Sequence, residues 1–496
     1  MKKRILSLAL AMLLIFGTVL LSACGDKKTD ETEQNTGNQT TAPTDGTDPL
    51  EYYKTQFGDV NLDGKEIWIY DLNTSPDVHV NFYDDIQGDP MNVALYKRDN
   101  LFVDLYGVSF EYFQNTAGSK LISNAVLAGS YVADIIYGRA SGDRLMTLAQ
   151  MDCMKDMRSL EKLDFSQAWW GNFITDSLTV NDRLFFTSGD ILPTFYQSIG
   201  CFFYNIDLGN SYGISKDEVS KTITEGNLTW EYITTASKDA YLNLDSNSDM
   251  TADKDQFGLI TYNVYNHTNM FTIGAGLNLC EQNDEGEWFV DFESASVVDK
   301  LGKLETYMDT YSMGESGVDS IMQTTFKEGR AVFAEHFTES AFNHLRDMSN
   351  DYLMLPVPKL EASQSSYRCM VNSYVNCFVG VLSNCADDTA TSIILESMAY
   401  AGYNDIRPVA YEEFLKGTLA RDPAAVELVD LIFDTAYIDY GVIEKFGVST
   451  DYPQGVSSIL YGYLKEGKPL GSAFAENKDA INGDLNKALK NFLEYN

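Results

Sequence analysis

Basic residues are scarce in this 496-residue sequence. Thirty-six lysines and arginines stand against 72 aspartates and glutamates, which gives a formal net charge of −36. A chain this acidic is repelled by phosphate backbones and by anionic lipid headgroups. We therefore exclude nucleic acids and anionic membrane surfaces as its partners. Solubility is the simplest explanation of the charge itself.

The sequence also lacks the short motifs that accompany common catalytic and metal chemistry. Its four histidines form no HExxH pair, and it contains neither a GxSxG elbow nor a P-loop. Carboxylate pairs are uninformative, because 72 acids produce them by chance. We detect no repeat of fixed period. We therefore expect no catalytic site and no required cofactor.

None of the seven cysteines forms the CxxC pair that is typical of zinc and thioredoxin-type sites. A bridge between Cys369 and Cys377 would need a hairpin turn at Asn372 and Ser373. Burial as free thiols is the alternative that we favour for the cysteines beyond residue 24. These are Cys153, Cys201, Cys280, Cys369, Cys377 and Cys385.

The N-terminus has the pattern of a secretory signal peptide, which we assign to residues 1–23. Residues 2–4 (KKR) are basic, residues 5–21 are mainly apolar, and small residues follow. The alternative, a membrane-spanning helix, is disfavoured because the apolar run is at the short end for spanning. Residues 21–24 (LSAC) resemble the bacterial lipobox, in which the cysteine is lipidated after cleavage. The resemblance implies acyl chains such as palmitate on Cys24, which would anchor the protein at the extracytoplasmic face of the cell membrane.

A polar segment follows the lipobox. Residues 25–49 contain no large apolar side chain, so the segment cannot bury enough surface to offset its ordering entropy. We assign residues 24–59 to the lipidated cysteine and a disordered tether. The remainder of the chain is too long for one ordinary core, and we expect two or more lobes.

The first part of this remainder predicts an α/β fold. Buried strands are expected at residues 65–71 (KEIWIYD), 108–112 and 133–137, and helices at residues 90–107 and 121–129. This β-α-β-α-β order is the start of a doubly wound sheet. Ligands of such sheets bind beyond the carboxyl ends of the strands. Residues 71–74 and 139–141, which follow the first and third strands, are therefore candidates for a ligand site.

Five segments resemble, in order, motifs of the extracellular solute-binding proteins of ABC importers, of the family 1, maltose-binding type. The segments are residues 128–136 (AG before ADII), 204–208 (YNIDL), 228–231 (LTWE), 326–333 (FKEGRAVF) and 353–359 (LMLPVPK). Ala133 replaces the usual proline, and Val332–Phe333 replace the usual Ala-Met. No motif of comparable quality follows Lys359.

The resemblance implies two α/β lobes joined by crossover strands, with the solute between them. The crossings are expected near residues 191–201, 332–336 and 377–382. The N-lobe then comprises residues 60–190 and 336–378, and the C-lobe residues 191–335 and 379–496. Capture would occur by hinge closure, and an ABC permease would recognise the closed form.

The placement of residues near strand ends and crossings gives candidates for the solute site. Sugar sites combine aromatic faces with Asp, Asn, Arg and His side chains that bind hydroxyl groups. The candidates are Asp71, Asn73, Arg139, Phe195, Tyr196, His336, Phe337, Arg368, Asn372 and Tyr374. We expect an oligosaccharide ligand. The alternatives are a peptide or amino-sugar ligand, and a surface adhesin that binds polysaccharide or a protein without transport.

An acidic segment suggests a calcium site. Asp245, Asn247, Asp249 and Thr251 place oxygen ligands at alternate positions, as a calcium loop does, and Asp253 or Asp255 could add another. The usual glycine is absent, since the sixth position is Met250, and no glutamate ends the loop. Structural calcium and a solvated acidic turn both remain open.

Overall fold

The structure is a computed structural model that describes residues 49–72, 90–114, 118–140, 144–245, 250–262, 264–283, 287–311, 321–415 and 423–494. The signal peptide, Cys24 and the assigned tether up to residue 48 lie outside the described residues. Asn73, Asn247 and Asp249 also lie outside them. The end of the assigned tether is ordered, because residues 49–57 form a helix that buries Tyr53, so the predicted disorder does not extend to residue 59.

The described residues include thirteen strands, arranged in sheets of five, four, two and two strands. The strands are β1 (Glu66–Asp71), β2 (Ser109–Gln114), β3 (Ile135–Gly138), β4 (Phe186–Thr187), β5 (Gly200–Asn205), β6 (Phe257–Ile260), β7 (Glu281–Gln282), β8 (Trp288–Phe289), β9 (Ala331–Phe337), β10 (Tyr352–Leu355), β11 (Cys369–Met370), β12 (Phe378–Val381) and β13 (Ala436–Tyr437).

The α-helices of the described residues surround these sheets. They are α1 (Pro49–Phe57), α2 (Pro90–Tyr106), α3 (Ser119–Leu127), α4 (Leu145–Gln150), α5 (Asn172–Leu178), α6 (Ile206–Ser211), α7 (Lys216–Thr224), α8 (Trp230–Ala236), α9 (Tyr265–Gly274), α10 (Ala295–Tyr311), α11 (Glu339–Asn343), α12 (Asp388–Ala401), α13 (Arg407–Leu415), α14 (Pro423–Asp434), α15 (Tyr440–Ile443), α16 (Val456–Glu466) and α17 (Leu470–Glu494).

The first lobe is built on the five-stranded sheet, whose order is β2-β1-β3-β12-β4. Strand β1 pairs in parallel with both β2 and β3. Ile67 and Ile69 of β1 are fully buried in one core cluster, while Leu72, just after β1, is buried in the other. Burial of both faces explains why the sequence of β1 is apolar between Glu66 and Asp71. The predicted β-α-β-α-β unit is confirmed.

Helix α2 connects β1 to β2 across one face of this sheet. It buries Leu95, Phe102 and Tyr106, and it ends before Gly107. Gly107 has φ of 68°, a left-handed conformation that costs glycine little and commonly terminates helices. The predicted end of the helix is therefore confirmed.

The second lobe is built on the four-stranded sheet, whose order is β10-β5-β9-β6. Strand β5 is antiparallel to β9 and β10, and β6 is parallel to β9. All six residues of β5 are buried. Outside the sheet, Thr229 caps α8 by accepting a hydrogen bond from the Tyr232 N–H at 3.1 Å, as its sequence predicts.

Two of the connections between the lobes are chain segments that we call the crossover pair; a further connection follows α13, because α16 packs on α9 of the second lobe. The first, residues 188–199, leads from β4 to β5 through the 3-10 helix Pro193–Gln197, and the second, residues 371–377, leads into β12. The two segments are bridged at Ile199 and Val371, and the Asn372 N–H donates to the Ser198 carbonyl at 2.8 Å. The predicted connection at residues 191–201 therefore exists, although residues 193–197 of it form a 3-10 helix rather than a strand.

The pairing of two strands corrects the predicted lobe boundaries. Residues 332–336 lie inside β9 rather than at a crossing, and β10 pairs with β5 in the second sheet. Strand β12 enters the first sheet between β3 and β4, and the apolar side of α12 packs against the same lobe. Residues 352–355 therefore belong to the second lobe and residues 379–401 to the first, the reverse of the predicted assignment.

Five of the six predicted free thiols are buried, and Cys385 is half-buried, all unbridged. Because Cys369 lies in β11 and Cys377 precedes β12 of another sheet, the hairpin between them does not form. None of the described helices combines the length and the apolar character that a membrane span requires.

Candidate functional site

The topology brings corresponding edges of the two main sheets to the crossover pair. In the first sheet, β1 and β3 end at this edge, and the antiparallel β12 begins there. In the second sheet, β9 and β6 end and β5 begins at the edge where the chain arrives from β4. Loops at the carboxyl ends of parallel strands are the usual place for ligands in α/β folds.

Arg139 is a first-lobe side chain that reaches the second segment of the crossover pair. It follows β3 directly, and its guanidinium carbon lies 4.0 Å from the ring centroid of Tyr374. Tyr374 is 61% exposed, so this stacked cation and ring form part of the accessible surface. Among the described residues, no hydrogen-bond partner lies within reach of the Arg139 Nε.

Asn372 links this stack to the second lobe. Its Oδ1 accepts the backbone N–H of Tyr374 at 3.0 Å, and it lies 3.5 Å from the Nδ2 of Asn266. Asn266 is in the first turn of α9, a helix of the second lobe. A continuous series of contacts therefore runs from Arg139 through Tyr374 and Asn372 to Asn266. We call these four residues the junction site.

A buried polar network holds the crossover pair beneath the junction site. Asn376 Oδ1 accepts hydrogen bonds from the hydroxyls of Ser188 and Thr194, each at 3.3 Å. The Thr194 hydroxyl oxygen also accepts the Cys377 N–H at 3.0 Å. These bonds fasten the two segments to each other, so Asn372 and Tyr374 are presented on a defined backbone.

Two of the predicted aromatic ligands, Phe195 and Tyr196, lie in the core instead. Both rings pack on Phe433, and the Tyr196 hydroxyl donates to Asp190 Oδ1 at 2.8 Å. Tyr196 has 0% exposure. The structure therefore does not bring either ring to the junction site, because the 3-10 helix turns both into the protein.

His336 and Phe337, at the end of β9, are also buried. The His336 Nδ1 lies 2.6 Å from the Ser340 hydroxyl, and the Phe337 ring packs on His267. Burial lowers the pKa of His336 well below its usual range, and His267 lowers it further. His336 is therefore a neutral core residue.

Asp71 and Arg368 are the two remaining described candidates. Asp71 is buried at the end of β1, with 1% exposure. Arg368 donates to Asn278 Oδ1 at 2.7 Å, and its guanidinium carbon lies 4.8 Å from the Tyr437 ring centroid. Of the described candidates, the structure thus brings together Arg139, Asn372 and Tyr374.

Sequence reasoning missed Asn266. Strand ends and crossings provided the signals for the other candidates, whereas Asn266 lies within a helix. Strand β6 is parallel to β9 and ends at the same edge of the second sheet, and α9 begins soon after it. The start of a helix that follows such a strand is a usual ligand position, and this pattern could have identified Asn266.

Part of the predicted calcium loop is visible in the structure. Asp255 accepts the backbone N–H groups of Leu244 and Thr251 through its two carboxylate oxygens, each at 2.7 Å. These bonds lower the pKa of Asp255 below its usual range. Asp255 thus closes the loop between residues 244 and 251, and Asp245 and Thr251 flank the undescribed positions.

Comparison with solved structures identifies the fold. The chain resembles the cyclic α-maltosyl-1,6-maltose binding protein of Arthrobacter globiformis with a TM-score of 0.54 and 12% identity, over 86% of this chain and 100% of that one. UspC of Mycobacterium tuberculosis gives 0.54 and 13%, over 84% and 99%. UgpB of the same organism, in complex with glycerophosphocholine, gives 0.50 and 13%, over 86% and 99%.

No protein-family model matches the sequence, and no curated protein matches it significantly. At 12–13% identity the likeness identifies the fold. The chain has the two-lobe α/β architecture of periplasmic binding proteins, as its sequence predicts.

Proposed function

We propose that this chain is a lipid-anchored solute-binding protein that holds an oligosaccharide between its lobes and delivers it to an ABC permease. The junction site is the observation that supports this function. Arg139 comes from the first lobe, Tyr374 and Asn372 from the crossover pair, and Asn266 from the second lobe. A solute that contacts all four residues therefore touches both lobes at once.

The chemistry of the junction site suits a sugar. An exposed aromatic ring packs against the apolar face of a pyranose, while amide and guanidinium groups bind its hydroxyls. Tyr374 supplies the ring, Asn372 and Asn266 the amides, and Arg139 the guanidinium. One of the structures that share the fold is named as a binding protein for a cyclic maltose-type oligosaccharide.

Hinge closure follows from the same arrangement. The two segments of the crossover pair connect the main sheets, so a rotation of one lobe against the other is absorbed by few residues. Contacts to both lobes are complete in the closed form, and the solute therefore stabilises that form. The permease would recognise the closed protein.

Thermal unfolding in the presence of a ligand panel tests the proposal. The panel contains oligosaccharides, peptides and glycerophosphocholine, because a ligand that binds the folded state raises its unfolding temperature. We expect oligosaccharides to raise it. Tyr374→Ala should weaken that ligand by about tenfold or more, as expected for loss of an aromatic contact. A protein unresponsive to the entire panel would indicate an adhesin.

Leu127→Ala is the matched control. Leu127 lies in α3 of the first lobe and is 61% exposed, the same fraction as Tyr374. Both substitutions remove exposed apolar area, so their effects on stability should be small and similar. Equal loss of binding in both variants would contradict the placement of the solute at the junction site.

The anchor and the permease need separate tests. Cys24→Ala removes the acylated thiol, and we expect this variant to leave the membrane fraction. The permease role predicts that cells lacking the protein lose uptake of the solute identified by the panel, and that Cys24→Ala reduces that uptake. Uptake unaffected by deletion of the protein would contradict a transport role.

We also propose that the loop at residues 245–255 binds structural calcium. Asp255 already orders one side of this loop through Leu244 and Thr251, and calcium needs about six to eight oxygen ligands. Millimolar calcium should raise the unfolding temperature, and Asp245→Ala should abolish the increase. The same unfolding temperature with calcium and with chelator would identify a solvated acidic turn.

A further inference from the structure

Two of the buried cysteines lie next to the crossover pair, at its second-lobe end. Cys201 is in β5, two residues after the first segment ends at residue 199. Cys369 is in β11, two residues before the second segment begins at residue 371. Both side chains have 0% exposure. Because β5 and β11 are in contact, the register between the two strands decides whether the thiols meet.

The register of β5 and β11 places the two cysteines opposite each other. The antiparallel bridge between Ile199 and Val371 fixes this register. One residue further along each strand, a Cβ added to Gly200 would lie 3.3 Å from the Met370 carbonyl oxygen, so these two residues are also neighbours. The next residues in the antiparallel order are the two cysteines. Residues that lie opposite each other project from the same face, and the two thiols therefore point to the same side.

The hydrogen bonds show which kind of pair the two cysteines form. In antiparallel strands, hydrogen-bonded and non-hydrogen-bonded pairs alternate. The Asn372 N–H donates to the Ser198 carbonyl, so Asn372 and Ser198 are a hydrogen-bonded pair. The cysteines are three pairs further along, and they are therefore a non-hydrogen-bonded pair. The Cys369 N–H agrees with this order, because it donates at 2.9 Å to the Thr435 carbonyl and not to β5.

This pairing suits a disulfide bond. The Cα atoms of a non-hydrogen-bonded pair are about 4.5 Å apart, and a disulfide joins Cα atoms that are about 4.4–6.8 Å apart. The electrostatics also indicate that the sulfurs are close. Burial raises the pKa of Cys201 well above its usual range, and the neighbouring Cys369 thiol raises it further.

We propose that Cys201 and Cys369 form a disulfide bond that ties β5 to β11 when the chain folds in contact with a disulfide oxidant. One cysteine thiolate attacks a sulfur of the oxidant and releases a thiol, and the other thiolate then displaces the second thiol. The S–S bond of the oxidant breaks as that of the protein forms. The two cysteines give up two protons and two electrons, and the oxidant is reduced to two thiols.

The exchange takes place before the thiols are buried. Burial raises the pKa of Cys369 to about 11, so both thiols of the folded protein are protonated as well as inaccessible. The presence of an oxidant rests on the proposed extracytoplasmic location, since disulfides form in oxidising compartments. The pairing of the strands depends neither on that location nor on the junction site.

The bond holds the second-lobe ends of both segments of the crossover pair together. Strands β5 and β11 then cannot separate, and at these two connections a rotation of the lobes is absorbed within residues 188–199 and 371–377. The bond also closes a loop of about 170 residues, which lowers the entropy of the unfolded chain and stabilises the fold.

Refolding of the full chain under defined redox conditions tests the proposal. The chain is unfolded in guanidinium chloride with reductant, and it is then refolded either in oxidised and reduced glutathione or in dithiothreitol. Free thiols are blocked with N-ethylmaleimide. We expect mass spectrometry of the digested protein to find Cys201 bonded to Cys369 after the glutathione treatment alone. The oxidised protein should unfold at a temperature about 3–6 °C above that of the reduced protein.

Three variants assign the bond. Cys201→Ala and Cys369→Ala should each lose both the cross-link and the difference between the two unfolding temperatures. Cys377→Ala should keep both, and it is the matched control because Cys377 is also fully buried and lies in the same tryptic peptide as Cys369. Each variant is compared with itself in the two buffers, which removes the effect of the substitution on packing.

The wild-type mass spectrum decides the matter even if a variant does not fold. The proposal is overturned if refolded wild-type protein keeps both thiols free in the glutathione mixture, or if Cys201 is bonded to a different cysteine. It is also overturned if Cys369→Ala keeps the temperature difference. The response to the ligand panel is measured separately, so a failure of this proposal and a failure of the proposed function are distinguishable.

Discussion

Two tyrosines of the connecting segments differ completely in their surroundings. Tyr196 has 0% exposure and donates its hydroxyl to Asp190, while Tyr374 is 61% exposed and carries the Arg139 guanidinium on its ring. Both were candidates for the solute site because of their positions along the chain. The contrast indicates that the ring in one segment of the crossover pair stabilises the core, whereas the ring in the other lies at the accessible surface.

Tyr196→Ala is expected to cause the largest loss of stability. Removal of a fully buried ring leaves a cavity next to Phe433 and Gly402, and it removes the hydrogen bond to Asp190. We expect the free energy of unfolding to fall by about 3–5 kcal/mol. Denaturant unfolding of Tyr196→Ala and Tyr374→Ala measures the contrast, and equal losses in the two variants would refute it.

Tyr196→Phe is the control for this prediction. It keeps the ring in the core and removes the hydroxyl that bonds Asp190. Its free energy of unfolding should fall by about 1.5–3 kcal/mol, which is the range for one hydrogen bond to a charged group. If Phe is as damaging as Ala, the hydroxyl rather than the packing of the ring determines stability.

The difference between the two tyrosines shows what the sequence reveals and what it does not. The β-α-β-α-β succession follows from local signals, because apolar runs and glycine stops lie close together between residues 65 and 138. The burial of Tyr196 depends on Phe433 and Gly402, which are more than 200 residues away in sequence. No local pattern encodes that contact.

The same reasoning explains the errors in the lobe boundaries and in the site. Strand β10 joins β5 after an excursion through most of the second lobe, and β12 then returns to the first sheet. The sequence of a short apolar strand does not indicate which of the two sheets it joins. Arg139 and Tyr374 were each placed by strand ends and crossings, but their stacking depends on long-range folding.

The second-largest expected effect is a dependence of stability on pH. It arises from Asp190, which accepts the hydrogen bond of the Tyr196 hydroxyl. Burial raises the pKa of Asp190 to about 6, although the Arg407 charge opposes the shift. A carboxyl with a raised folded-state pKa binds its proton more tightly in the folded than in the unfolded protein. Stability therefore falls as the pH rises from about 4 to 6, by about 1–3 kcal/mol from this group.

Asp190→Asn should flatten this part of the pH profile, because the amide does not titrate. Burial also raises the pKa of Glu396 to about 7, so the decline in stability should extend to neutral pH. Tyr374→Ala should keep the wild-type profile, since its ring is not part of the Asp190 cluster. Unfolding temperatures measured from pH 4 to 8 decide the matter, and an increase with pH would contradict the assignment.

The smallest expected effect is the loss of affinity in Arg139→Lys, which separates the charge of the Arg139 side chain from its planar shape. Arg139→Lys keeps the positive charge but loses the planar guanidinium that stacks on Tyr374. An exposed cation–π contact is worth about 0.5–1 kcal/mol, so the solute found by the ligand panel should bind roughly two- to fivefold more weakly. Stability should change by less than about 0.5 kcal/mol, as for other surface substitutions.

A double-mutant cycle assigns the Arg139 effect to the stack. If the guanidinium acts by fixing the Tyr374 ring, Arg139→Lys should have little further effect on affinity in a Tyr374→Ala background. Calorimetric affinities of the four proteins for the same solute measure this coupling. If the two losses of affinity are fully additive, Arg139 binds the solute independently of Tyr374. The Tyr374 ring then does not need the guanidinium to hold it in position.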